Sequence, residues 1–311
     1  MKLLFIVDPL ATLKAYKDSS VAMMRAARAR GHAVFAAEAA DLHIRESRAF
    51  AACSALEVRL GDDWCTAAAP ADMALTDFDA VLMRTDPPVD TDYLLATQML
   101  DVAVAQGVRV LNRPSALRDF NEKLAILNFP QFIAPTLVSA KRDDITAFLI
   151  EHTDIIVKPL TEMGGSGIFR LTVNDPNRNA ILETLTQRGL RPIMAQRYLP
   201  DIAQGDKRIL IIDGEVLPWA LARIPQPGET RGNLAAGGTG RAQALSSRDR
   251  EIAETIAPWA KAHGIFLAGL DVIGDYLTEI NVTSPTGFQE ITAQTGLDVA
   301  EQFILAIERV G

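Results

Sequence analysis

The segment Leu270–Pro285, LDVIGDYLTEINVTSP, constrains the chain most, because it places three oxygen-donor side chains on what reads as one β-hairpin. With a three-residue loop at Gly274, Asp275 and Tyr276, Asp271 stands opposite Glu279, and Asn281, two residues on, points to the same face. A two-residue loop instead sets Asp271 against Thr278 on the other face, so the register decides the reading. Two carboxylates and a carboxamide suit Mg²⁺ bridging phosphate oxygens better than zinc or copper, which prefer nitrogen and sulfur. A solvated strand face is the plain alternative, and the residues upstream weigh against it.

Leu3–Val7 is a continuous apolar run of the kind buried on both faces of a sheet, and Ser19 or Ser20 can cap a helix through Arg30 that Gly31 stops. His32–Ala37 then makes a second strand, giving a β-α-β opening of the doubly wound kind. A third strand, Ala80–Met83, ends in Arg84-Thr85-Asp86-Pro87-Pro88, and ligands sit beyond the carboxyl ends of such strands, so Arg84 is a candidate anion contact. A helix over Tyr93–Gln106 and a fourth strand over Val108–Leu111 close a first unit near residue 120.

From Lys123 onward short strands and helices alternate: Thr136–Val138, a helix over about Asp143–Glu151, and Ile155–Lys158. The last strand feeds Met163-Gly164-Gly165-Ser166-Gly167, whose exposed N–H groups can cradle phosphate oxygens, with Lys158 just before it to neutralise charge. A purely structural turn is the alternative. Neither GxxxxGK[ST] nor a GxGxxG that follows a strand and opens a helix is present, so nucleotide binding requires a different fold. Met194–Leu199 reads as a strand running into a hinge able to pair with an adenine edge. Next, Asp206 and Arg208 lead a strand turned back at Asp213-Gly214, and Arg223 closes the return strand, so the two arginines are candidates for one phosphate- or carboxylate-binding cleft. The glycine- and proline-rich stretch 224–240, containing Arg231, reads as a mobile lid.

The chain has 311 residues, 49% hydrophobic and 23% charged, enough for two or three packed units. A formal net charge of −8 argues against nucleic acid as partner. The opening MKLLFIVDPL is cut short by Asp8 and Pro9 and reads as a strand, not a signal segment; no run is long enough to span a membrane. Cys53 and Cys65, without CxxC or histidine company, fit a reducing cytoplasm.

Seven motifs carry a resemblance: KDSS at Lys17–Ser20, MRTDPP at Met83–Pro88, NEKL at Asn121–Leu124, KPL-x-x-MGG at Lys158–Gly165, QGDKR at Gln204–Arg208, LARIPQ-x-GETRGNLAAGG from Leu221 to Gly238 and GLDVIGD-x-LTEINVTSPTG from Gly269 to Gly287. Together they span nearly the whole chain, and it resembles the bacterial glutathione synthetase family. The resemblance implies an α/β architecture: an ATP-grasp fold with an N-terminal Rossmann-like parallel-sheet domain over 1–121, a central lid subdomain over 122–200, and a catalytic subdomain over 201–311 with the mobile loop 224–240. It implies ATP-dependent ligation of glycine to γ-glutamylcysteine through an acyl phosphate, in a cytoplasmic homotetramer using Mg²⁺ or Mn²⁺, with no nucleic-acid or membrane partner.

By the same resemblance Lys123, Lys158, Gly164 and Gly165 hold the nucleotide phosphates, Gln196, Tyr198 and Leu199 line the adenine pocket, and Asp206 meets the ribose. Asp271, Glu279 and Asn281 hold the metal. Arg208, Arg223 and Arg231 are implied as catalytic, and Lys17, Arg84, Ser284 and Thr286 as contacts for the dipeptide's charged ends. Two positions depart from the family pattern: Glu162 brings a side chain and a charge beside the phosphate loop, and Thr239 stands where an arginine is usual, with Arg241 two residues on. Another ATP-grasp ligase, joining D-alanine or extending a protein tail with glutamate, would share the lysines and the metal triad. A non-catalytic ATP-binding protein of the same fold would lack the substrate-side arginines.

Overall fold

The computed structural model describes residues 1–229, 231–232, 234 and 237–309, and among these the strands form three sheets. The first contains β1 (Lys2–Ile6), β2 (Ala33–Ala37), β3 (Leu42–Arg45), β4 (Arg48–Val58), β5 (Cys65–Ala67), β6 (Ala71–Ala74), β7 (Ala80–Met83) and β8 (Val110–Leu111). Its order is β3-β4-β2-β1-β7-β8, with β5 and β6 also paired to β4. β2, β1, β7 and β8 run parallel, and Leu3–Ile6 and Ala80–Met83 are buried throughout, as strands covered on both faces must be.

The helices of this unit are α1 (Ser19–Ala29), α2 (Thr91–Ala105) and α3 (Pro114–Asp119). The cap of α1 is Asp18, whose carboxylate accepts the N–H groups of Ser20 and Val21, and neither serine expected in that role fills it. The four strands between residues 42 and 74 have no counterpart in the sequence reading. Their small residues, as in β4's RAFAACSALEV, give a weak alternation of apolar and polar positions.

β9 (Thr136–Ser139), β10 (Asp154–Pro159), β11 (Phe169–Thr172) and β12 (Ile193–Arg197) form an antiparallel sheet in the order β11-β10-β12-β9, flanked by α4 (Arg142–His152) and α5 (Arg178–Leu185). The third sheet comprises β13 (Asp206–Ile212), β14 (Glu215–Ile224), β15 (Thr239–Ala244), β16 (Leu267–Ile273) and β17 (Tyr276–Asn281), in the order β15-β14-β13-β16-β17. α6 (Ser247–Ala262), α7 (Phe288–Thr295) and α8 (Val299–Arg309) complete the chain. α6 opens with a reciprocal capping box between Ser246 and Asp249. Of the expected lid, Thr230, Asn233, Ala235 and Ala236 lie outside the described residues, and β15 already begins at Thr239.

The first and third units share a core. Val21, Met24 and Ala27 of α1 belong to one cluster with Phe303, Ile304 and Ile307 of α8. Arg30 and His32 reach Glu308, and Arg109 donates to the Ile307 carbonyl. Asn112 adds a buried clamp: its amide donates to the Leu267 and Val282 carbonyls and accepts the N–H groups of Phe266 and Leu267. No helix among the described residues is long and apolar enough to cross a membrane.

Candidate active site

The hairpin β16–β17 turns through two residues, Gly274 and Asp275, with Ile273 opposite Tyr276 and Val272 opposite Leu277. The three-residue loop expected from the sequence is therefore absent. A bulge between Asp271 and Val272 shifts the pairing by one, so Asp271 still lies opposite Glu279. The extra residue is Thr278, whose hydroxyl donates to the Asp271 carbonyl. Asn281 faces Gly269 and donates its amide to that carbonyl at 3.0 Å.

Strand registers assemble the charged centre. Arg208 on β13 is opposite Asp271 on β16, and Asp206, two residues earlier on the same face, is opposite Arg223 on β14. Arg208 forms a forked pair with Asp271, Nε to Oδ1 at 2.6 Å and Nη2 to Oδ2 at 3.1 Å. Arg223 Nη2 reaches Asp271 Oδ2 at 2.8 Å and also bonds Asp206 Oδ2. All four side chains are buried. Burial pushes the Asp271 carboxyl up, but the two guanidinium groups outweigh it and hold it well below the usual carboxylate range. Asp206 moves the opposite way: burial, reinforced by the neighbouring Asp271 and Glu279 charges, raises it against the pull of Arg223. Its Oδ1 is buried with no hydrogen-bond partner among the described residues.

Two lysines converge on Glu279. Lys158, at the end of β10, lies 3.4 Å from Oε1, and Lys123 lies 3.8 Å from the same atom. Lys158 also donates to the Thr278 carbonyl, and Lys123 to the Glu162 carbonyl at 2.6 Å. Burial lowers the Lys158 pKa, with Glu279 opposing the shift. Gly164, Gly165 and Gly167 have φ of 64°, 86° and 67°, a left-handed path only glycine follows without strain. Over this loop comes Arg231, with Nη1 3.4 Å from the Gly165 carbonyl and Nη2 paired to Glu229.

Two cavities meet here. The first is walled by Ile156, Met163, Ile168, Leu199, Ile202 and Ile273, with Gln196, Tyr198, Asp206, Arg231 and both lysines also lining it. The second, lined about equally by polar and apolar surface, holds Lys17, Ser284 and Thr286 together with Arg208, Arg223 and Asn281. Asp271, Glu279, Lys123 and Gly164 line both. A mostly apolar pocket with a few convergent charges suits a nucleotide base and its phosphates, and the second suits a charged small molecule.

Arg84 lines neither cavity. It is buried, its Nε donating to Ser20 Oγ and its Nη2 to the Pro285 carbonyl, so it fastens the Ser284–Gly287 segment to α1, while its Nη1 is buried with no hydrogen-bond partner among the described residues. Asp8 and Asp86, beyond the carboxyl ends of β1 and β7, line the second cavity in its stead. Glu162 is exposed at the rim of both cavities, and Thr239 and Arg241 sit exposed on β15. Glu122 went unnoticed in the sequence although it neighbours Lys123. Its carboxylate accepts from the Val282 N–H and from both the N–H and the hydroxyl of Thr283, and burial raises its pKa.

Residues 1–118 match the model for the prokaryotic glutathione synthetase N-terminal domain and residues 122–296 that for its ATP-grasp domain. The chain belongs to the prokaryotic glutathione synthetase family. It is 60% identical to the glutathione synthetase of Neisseria meningitidis serogroup A over 99% of this chain and 98% of the relative, and 54% identical to that of Bordetella pertussis over 99% of each. Among solved structures it resembles D-cycloserine synthetase DcsG, with a TM-score of 0.67 at 15% identity over 99% of this chain and 100% of that one. The ATP-grasp ligase PsnB bound to a phosphomimetic precursor variant, Mg and ADP gives 0.63 at 18%, covering 99% of this chain and 97% of that one. These likenesses establish the ATP-grasp fold, and the family membership makes the chain an ATP-dependent carbon–nitrogen ligase.

Proposed function

We propose that the chain joins glycine to γ-glutamylcysteine at the expense of ATP, with ATP in the first cavity and the dipeptide in the second. The observation that carries this reading is the shared wall: the carboxylates and Lys123 stand where a γ-phosphate entering from one cavity meets a carboxylate entering from the other. The reaction requires that meeting. A substrate carboxylate oxygen attacks the γ-phosphorus and the bond to ADP breaks. The glycine amine then attacks the acyl carbon, the carbon–oxygen bond to phosphate breaks, and the amine proton leaves. Positioning and charge neutralisation carry such chemistry.

Lys123 and Lys158, flanking the loop at Gly164 and Gly165, are assigned to the phosphates. The hinge Gln196–Leu199 takes the adenine and Asp206, with its unsatisfied Oδ1, the ribose hydroxyls. The oxygen-only set of Asp271, Glu279 and Asn281 fits a hard divalent ion, since Asp271 Oδ1, which accepts only from Arg208 Nε among the described residues, keeps a lone pair. Magnesium, or manganese in its place, supplies neutralisation of the β- and γ-phosphate charge when bound. Arg208 and Arg223, whose described bonds leave the Arg223 Nη1 hydrogens uncommitted, orient the phosphoryl acceptor. Lys17, Ser284 and Thr286 hold the dipeptide's ends. We assign units 1–121, 122–200 and 201–311 to substrate binding, lid and catalysis, in a cytoplasmic homotetramer as the family suggests.

The test is ADP release with ATP, Mg²⁺ and γ-glutamylcysteine, with and without glycine, alongside mass detection of the tripeptide. Glycine-dependent ADP matched by tripeptide is expected. ADP formed only with a different amine acceptor would overturn the substrate assignment.

Arg231 is assigned to a lid that keeps water off the acyl phosphate. A Cβ on Gly232 would stand 2.3 Å from the Arg223 carbonyl and 3.2 Å from the Asp206 side chain. Gly232→Ala is therefore expected to hold the lid off its seat, so that ADP release exceeds tripeptide formation. A one-to-one ratio at wild-type rate would rule out this closure.

A further inference from the structure

β17 is an edge strand, and its outer N–H groups need partners that no further strand supplies. Glu122 supplies them. Its carbonyl accepts from the Ile280 N–H at 2.9 Å, and its carboxylate accepts from the Val282 N–H at 2.9 Å, the Thr283 N–H at 3.0 Å and the Thr283 hydroxyl at 2.8 Å. These bonds bracket Asn281 on both sides. Asn281, in turn, donates one amide hydrogen to the Gly269 carbonyl, and its side chain lines the second cavity.

The residues beside Glu122 extend the brace into the lid unit. Asn121 Oδ1 accepts the Lys123 and Leu124 N–H groups, its Nδ2 donates to the Leu160 carbonyl, and Lys123 Nζ donates to the Glu162 carbonyl. One tripeptide thus stands in for the missing strand and ties the edge carrying Glu279 and Asn281 to the end of the segment that follows β10.

We infer that Glu122 is a positioning residue for the divalent-ion ligands, fixing the pleat of β17 so that Glu279 and Asn281 face the cleft at the spacing the ion requires. The inference rests on the reading of Glu279 and Asn281 as those ligands. In this role Glu122, which also lines the second cavity, acts by holding the backbone on either side of a ligand and not as a ligand itself. A carboxylate is needed because one oxygen serves three donors, which a neutral amide oxygen accommodates less well.

The experiment is calorimetric ADP binding to the full chain with and without Mg²⁺, for the wild type and for Glu122→Ala, Glu122→Gln and Asn281→Ala. Glu122→Ala is expected to keep the metal-free ADP affinity within about twofold and to lose about 10–100-fold of the gain that Mg²⁺ confers, as mutation of supporting groups around metal ligands does. Glu122→Gln, whose neutral amide oxygen serves the three donors less well, is expected to recover only part of it. A purely structural brace would lower thermal stability and leave the Mg²⁺-dependent gain intact, and that result overturns the inference. Should Glu122→Ala fail to fold, Glu122→Gln carries the test, and a Glu122→Gln variant with lowered thermal stability and an unchanged Mg²⁺-dependent gain overturns the inference. Asn281→Ala separates the two readings. If it retains the full gain, the metal assignment falls and this inference with it; if it loses the gain while Glu122→Ala does not, only the inference falls.

Discussion

Glu279→Gln is expected to lower turnover about 10²–10³-fold, the loss typical of removing one group that stabilises charge in the transition state, while leaving the three cores unchanged. The side chain belongs to none of the buried clusters, and its ion pairs among the described residues are with Lys123 and Lys158. Glutamine keeps the shape and removes the charge that stands between the two ammonium groups. Nucleotide phosphates then meet two lysines with no competing carboxylate, so metal-free ADP is expected to bind as well as before or better while kcat collapses. Steady-state rates across a Mg²⁺ titration, paired with ADP binding, read both quantities. Wild-type turnover would remove Glu279 from the ion-binding set, and a parallel loss of ADP affinity would mean its role is nucleotide binding.

A different failure is expected of Asp271→Ala, although Asp271 is assigned to the same ion. Its carboxylate lies between Arg208 and Arg223, and removal leaves two buried guanidinium groups with Asp206, bonded to Arg223, and the more distant Glu279 for compensation. Breaking a buried pair from one side costs about 3–5 kcal/mol. Urea unfolding followed by Trp219 on β14 and Trp259 on α6 should show the transition of the third unit at markedly lower denaturant. Asp271→Asn, which keeps an acceptor, should fall between. An unchanged midpoint for the alanine variant would mean the arginines find other partners, and the account of this cluster would fail.

The two variants show what the sequence could and could not convey. The spacing of Asp271, Glu279 and Asn281 was legible, and so was their facing one another, yet the turn invoked for it was wrong. A two-residue turn with a bulge at Thr278 gives the same opposition as a three-residue loop, and nothing in the residues between 271 and 279 distinguishes them, since both place the glycine in the turn. Parallel strands of the first sheet announced themselves by unbroken apolar runs. The strands between 42 and 74 did not, because alanines and half-exposed positions blur a period of two. The surroundings of Arg84 were hidden for another reason. Its location at a strand's carboxyl end suggested a ligand, whereas the groups that bury it, Ser20 and Pro285, are distant in sequence and come together only in the fold. Glu122 was missed because its partners, Ile280 to Thr283, lie across the same kind of gap.

The joining of α1 to α8 has a bearing on how the protein is made. A chain emerging from the ribosome at about 5–20 residues per second exposes the apolar face of α1 for roughly ten seconds to half a minute after its own unit is complete, until Phe303, Ile304 and Ile307 are synthesised. During that interval the newborn N-terminal part presents an uncovered hydrophobic surface that a chaperone would need to shield. Shortening the chain at its far end would, by the same geometry, injure the part that was translated first.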